Sequence, residues 1–113
     1  KLPYPQLGYI YGAHPTGLEA HSDCKIVQRR TDATLLEVTI LTGRPHQIRI
    51  HLATVGYPLL GDPLYVPGGQ PRADGTAIPS DCGYWLHAQR LSFIHPAGEP
   101  MVLTCEPPSQ LLP

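Results

Sequence analysis

"TGRPHQIRIHLATVGYPLLGDPLY", Thr42 to Tyr65, carries two arginines, two histidines and a glutamine in its first ten residues and no acid before Asp62. Thr42-Gly43 closes the strand-like run before it. Pro45 suits the first turn of a helix, where its fixed φ is helical and its missing amide proton is not needed. Ile48, Leu52 and Val55 follow at i, i+4 and i+7, and Gly56 supplies a stop. The spacing predicts one short amphipathic helix with those three residues as its buried stripe. Residues 46, 49, 50 and 53 then share one flank, and 47, 51 and 54 the other. Gly61-Asp62-Pro63 reads as a turn.

Upstream, "TLLEVTIL" alternates Leu36, Val38 and Ile40 against Glu37 and Thr39, as a half-buried strand does, and an apolar stretch over Cys24 to Gln28 precedes it. The polar "RRTDA" between them predicts a hairpin. Downstream, "YWLHAQRLSFI" and "MVLTCE" flank "HPAGEP" and predict a second hairpin, with Leu91 and Phe93 opposite Met101, Val102 or Leu103. Residues 1–23 read as extended chain and loops, and residues 66–83 as a Gly/Pro/Asp-rich surface loop without a core face. The fold class is α+β: antiparallel β hairpins around one short central helix.

The 113 residues suffice for one small domain with a modest core. No apolar run approaches the roughly 18 residues of a membrane span, so the chain reads as soluble and globular with no membrane partner. A formal net charge of −1 excludes a bulk polyanion binder, and any nucleic-acid affinity must come from a local patch. The opening stretch is the candidate. Cys24, Cys82 and Cys105 lie far apart, with an odd count and no CxxC, which fits buried, reduced thiols and an intracellular setting.

Arg49 flanks the predicted stripe. An arginine among apolar neighbours needs a carboxylate or a phosphate, because an uncompensated buried charge costs several kcal/mol. Glu37 and Asp62 are candidate internal partners; an external anion is the other. His46 and His51, five residues apart, sit about 140° from each other on a helix, which spoils a two-histidine metal grip. His14, His21, His87 and His95 are isolated, and HExxH, GxSxG, phosphate-loop and dinucleotide patterns are missing, so the reading includes no metal site.

The opening stretch resembles a motif of RluA-type RNA pseudouridine synthases, and "LHAQRLSFIHP", Leu86 to Pro96, is similar to the motif that follows it in that family. Pro45 stands where the family often has threonine and Tyr57 where it often has histidine. The resemblance implies an isomerase that detaches uracil from its ribose in rRNA or tRNA, rotates it and rejoins it through carbon, with no cofactor or metal. It implies that residues 1–113 form the C-terminal half of the catalytic domain. The nucleophilic aspartate of an "HRLDxxTSG" motif lies outside them, since Asp23, Asp32, Asp62, Asp74 and Asp81 all have other contexts. The chain alone is then inactive, and its partners are RNA and the other half of the domain. A cytoplasmic setting is expected, with an organelle address left open.

By the same resemblance, Arg49 is the basic partner of that outside aspartate. A neighbouring cation keeps a partly buried carboxylate ionised for attack at the sugar C1′. Arg44, with the amides of the helix start, can hold an RNA phosphate. His46 and Gln47 add hydrogen bonds to that anion or to a base, or else stabilise the turn. Leu91, with Phe93 or Ile94, forms a wall for the extruded uridine, or else packs in the core. The alternative functions are a non-catalytic RNA-binding module derived from this family and a structural domain in which the Arg49 pair is internal.

Overall fold

The computed structural model describes residues 1–4, 8–72 and 83–113. Among the described residues, four antiparallel two-stranded ribbons follow one another: β1 (Leu2–Tyr4) with β2 (Gly8–Ile10), β3 (Ser22–Arg29) with β4 (Thr34–Ile40), β5 (Tyr65–Val66) with β6 (Gln70–Pro71), and β7 (Arg90–Ile94) with β8 (Pro100–Thr104). Helix α1 (Gln47–Thr54) lies between the second and third ribbons in sequence, and a 3₁₀ turn, Ser109–Leu111, follows β8. The α+β reading holds, and both predicted hairpins form.

In the first long hairpin Cys24 faces Val38 and Ile26 faces Leu36, with a bulge between Ile26 and Gln28, and Arg30 N–H donates to the Ala33 carbonyl across the turn (2.8 Å). In the second, Leu91 faces Leu103 and Phe93 faces Met101. Two short ribbons were not legible. β1–β2 falls in the proline-rich start, and β5–β6 occupies the first residues of the expected 66–83 loop; residues 73–82 and Cys82 lie outside the described residues.

Helix α1 stops where Gly56 predicted. Its φ of 92° lets Gly56 N–H reach Ala53 O and Tyr57 N–H reach Leu52 O, the paired bonds that satisfy the last carbonyls of a helix. The buried stripe, however, is rotated. Of the predicted stripe Leu52 is buried, but Val55 is 66% exposed and Ile48 only half-buried, whereas Ile50 and Ala53 pack with Leu64 and Tyr65, joined by Leu2, Tyr11 and Ala13. The helix starts at Gln47, after His46 in a left-handed conformation, and the chain after Gly56 folds back under the 49/50/53 flank. An eight-residue helix depends on such packing because its own hydrogen bonds are marginal in water.

Both long hairpins leave many of their apolar residues open: Ile26, Ile40, Leu91, Ile94, Val102 and Leu103 are each about half exposed or more, while Leu35, Leu36, Val38 and Met101 are partly buried. The expected burial of Leu91 and of strand β4's Ile40 is therefore corrected, as is that of the thiols, since Cys24 and Cys105 are free and exposed. With so little apolar surface removed from water, the isolated chain is expected to unfold broadly, below about 50 °C. A calorimetric scan checks this, and a sharp two-state transition above that temperature would contradict it.

Candidate functional site

Arg49 and Asp62 meet in the deepest polar contact described. Nε of Arg49 donates to Oδ2 of Asp62 at 2.9 Å and Nη2 to Oδ1 at 2.8 Å, with side-chain exposures of 3% and 0%. Asp62 Oδ1 also accepts the amides of Leu64 (2.9 Å) and Tyr65 (3.2 Å), so the carboxylate closes its own turn while it grips the guanidinium. Burial opposes the charge on Asp62, but the Arg49 bond and the two amides outweigh it and hold the carboxyl below its ordinary value. Arg49 is buried too, yet the same bond keeps its proton held more firmly than usual.

Two rings pack on the guanidinium, Tyr84 at 4.2 Å and Tyr65 at 5.1 Å from ring centroid to Cζ. Tyr84 reaches it because Gly61 and Gly83 let two backbone segments touch. A Cβ on Gly61 would collide with the Gly83 carbonyl, and Trp85 N–H donates to Leu60 O at 2.9 Å. Neither tyrosine was singled out from the sequence. Tyr65 stood inside the quoted stretch, but Tyr84 carries no spacing signal that links it to Arg49 across the intervening loop.

His46 sits at φ 53°, ψ 26°, just before α1, and its Nδ1 lies 2.9 Å from the Tyr65 hydroxyl, which donates onward to the Tyr11 carbonyl (2.8 Å). Burial first, and then the charge of Arg49, lower its pKa against the opposing pull of Asp62. His46 is therefore neutral at pH 7.

Gln47 is buried and spends its amide inside the fold. Its Oε1 accepts from Thr42 Oγ1 (2.7 Å) and Arg44 N–H (3.1 Å), while Nε2 donates to His21 O (2.9 Å) and Ser22 Oγ (2.8 Å). That is a clamp between α1 and the β3–β4 hairpin, the turn-stabilising alternative to the RNA contact expected of Gln47. Arg44 is exposed, its Nε donating to Glu19 O at 2.9 Å. Leu91 lies on the open β7–β8 ribbon, 59% exposed. His51 points to the other flank, with Nδ1 2.9 Å from Ser22 Oγ. Among the described residues no three His, Cys, Asp or Glu side chains cluster as metal ligands, and no helix is long and apolar enough to cross a membrane.

Both titration shifts have the same sign for stability. A histidine whose folded pKa is depressed leaves the unfolded chain binding the proton first, so stability is complete above about pH 6.5 and declines as pH falls below it. The Asp62 contribution persists to the ordinary carboxylate range and is lost as pH falls on toward its lowered folded value. Unfolding midpoints followed from pH 8 to pH 3 are expected to fall in two stages, as about those two ranges are crossed. His46→Asn should flatten the upper stage and Asp62→Asn the lower; a midpoint that rises between about pH 7 and pH 5 would contradict the assignment.

Comparison with known proteins adds sequence relatives to this geometry. A family described as RNA pseudouridylate synthase matches residues 10–54. An uncharacterised RNA pseudouridine synthase of Synechocystis is 61% identical over 95 residues, which cover 84% of this chain and 33% of that protein. RNA pseudouridine synthase 5 of Arabidopsis thaliana is 43% identical, covering 73% of this chain and 28% of that protein. The dual-specificity RNA pseudouridine synthase RluA of Yersinia pestis is 36% identical, covering 82% and 43%. The chain thus spans about a third of the length of these relatives. No solved structure matches it.

Proposed function

We propose that the chain is a segment of an RluA-type RNA pseudouridine synthase and that the protein carrying it isomerises uridine to pseudouridine in structured RNA, a reading supported by the matching family and by the relatives similar to it. The observation that supports this best is the buried Arg49–Asp62 pair under two tyrosine rings, since a cation held so rigidly is suited to orient and ionise a second carboxylate. That second carboxylate, the nucleophile, comes from the part of the catalytic domain outside these residues, of which the chain is the C-terminal half.

In the reaction the C1′–N1 glycosidic bond breaks, uracil rotates in place, and a C5–C1′ bond forms. The C5 proton departs and N1 gains one, so atoms balance without a co-reactant. In this reading Asp62 holds Arg49 side-on, the tyrosine faces fix the guanidinium plane, and Arg44, exposed at the edge, meets an RNA phosphate. Leu91 on its open ribbon is the wall offered to a base. The substrate class is rRNA or tRNA, and the setting is intracellular.

One observation favours the second reading, an RNA-binding module without catalysis: the Asp62 carboxylate already engages Arg49 in two hydrogen bonds. Carbodiimide labelling followed by primer extension separates the two. Full-length protein is expected to give site-specific stops and the 113-residue chain none. RNA bound by the full-length protein without conversion would favour the binding module, and product from the chain alone would place the nucleophile within it.

A further inference from the structure

The Tyr65 hydroxyl has one proton and lies within hydrogen-bond distance of both the Tyr11 carbonyl at 2.8 Å and His46 Nδ1 at 2.9 Å. A carbonyl oxygen only accepts, and two oxygens 2.8 Å apart with no proton between them repel, so the Tyr65 proton lies toward Tyr11. The Tyr65 oxygen must then accept from His46, and Nδ1 of the neutral ring carries the hydrogen. Nε2 is left with its lone pair. Among the described residues no buried side-chain nitrogen or oxygen lacks a partner, and His46 makes no hydrogen bond through Nε2, so that atom reaches solvent.

The ring is held in place as well. His46 is the one non-glycine residue described at positive φ, a conformation that costs a residue with a Cβ and persists where its surroundings impose it. Its ring stands edge-on to Tyr11 (centroids 6.3 Å apart) and Tyr65 (5.9 Å), and the same Tyr65 ring packs on Arg49. A fixed acceptor therefore sits beside the buried cation.

We propose that His46 is a specificity residue that accepts, through Nε2, a hydrogen bond from a nucleoside O–H or N–H donor and does not grip phosphate. The proposal rests on the RNA reading above. Phosphate oxygens and the uracil carbonyls only accept, so they cannot pair with this atom. A ribose 2′-hydroxyl and the uracil N3–H can. Cytosine presents a bare N3 at the same edge, so the N3–H contact would also select uridine over cytidine.

Long-range ¹H–¹⁵N correlation on the ¹⁵N-histidine-labelled chain at pH 7 tests the first step without RNA. His46, assigned by its loss in His46→Asn, is expected as the Nδ1–H tautomer, and Tyr65→Phe is expected to release it toward Nε2–H. An Nε2–H tautomer in the unsubstituted chain would overturn the proposal. Adding a uridine pentaribonucleotide to the full-length protein carrying this segment, labelled in the same way, is then expected to move the Nε2 resonance saturably toward the hydrogen-bonded range without protonating the ring. If the 2′-deoxy pentamer abolishes that shift the donor is the ribose hydroxyl, and if the 3-methyluridine pentamer does so it is the imino group. Shifts of Arg44 resonances with Nε2 unmoved, or an effect surviving both modifications, would overturn the acceptor role alone. No shift of any resonance with any oligomer would remove the RNA reading and the proposal with it.

Discussion

Asp62→Ala is expected to destabilise the folded segment by about 3–5 kcal/mol, the range for removing one partner of a buried ion pair. Arg49, 3% exposed, would be left with a desolvated charge, and the Leu64 and Tyr65 amides would lose their acceptor in the same step. The 49/50/53 flank packs on Leu64 and Tyr65, so the loss reaches the core as well as the turn. Asp62→Asn keeps an oxygen for the two amides and should cost less. Combining it with Arg49→Met removes both charges and should recover part of the loss, because a neutral pair avoids the desolvation penalty. Urea midpoints of the four proteins check the order. Equal stability of Asp62→Ala and the parent would mean that the pair is solvated.

The same stretch that announced the helix also shows how far a local pattern reaches. Gly56 bounded α1 well, although the helix starts at Gln47, two residues after Pro45, and the alternation in residues 34–40 and the polar turns placed both long hairpins, because those signals are local backbone chemistry. The buried stripe was misread because an i, i+4, i+7 pattern presumes that the core meets the helix on its most apolar face. Here the chain after Gly56 returns beneath Arg49, Ile50 and Ala53 instead, and Asp62 makes that polar flank buriable. Asp62 stood among the internal partners open to Arg49, yet its choice over Glu37 depended on the turn at Gly61. The engagement of Gln47 inside the fold was not legible because two of its four partners, His21 and Ser22, come from a stretch of chain some 25 residues away, which no local window of sequence displays. Tyr84 escaped for the same reason. On the face predicted for strand β4, Leu36 and Val38 are partly buried and Ile40 is open, since amphipathic alternation specifies a face without supplying what covers it.

In full-length protein carrying this segment, Arg49→Ala is expected to lower the rate of pseudouridine formation by at least about a hundredfold, equivalent to one charge-assisted contact of roughly 3 kcal/mol. Arg49→Lys keeps the charge but loses the planar fork that meets Asp62 through Nε and Nη2, so its loss should be intermediate. Stability alone cannot produce this pattern. The double variant Arg49→Met with Asp62→Asn is expected to regain folding without regaining turnover, because the cation that serves the second carboxylate is still missing. RNA affinity should change far less than rate, since the buried guanidinium faces carboxylate and tyrosine rather than phosphate.

The most direct test of the Arg49 assignment is the single-turnover rate at saturating enzyme, set beside filter-binding affinity, for the parent, Arg49→Ala and the double variant. The account predicts a rate at least about a hundredfold lower in both variants, with affinity within a few-fold of the parent. A rate near the parent value in the refolded double variant would make Arg49 a structural residue only, and a hundredfold loss of affinity with an unchanged rate would make it a phosphate ligand; either contradicts the assignment.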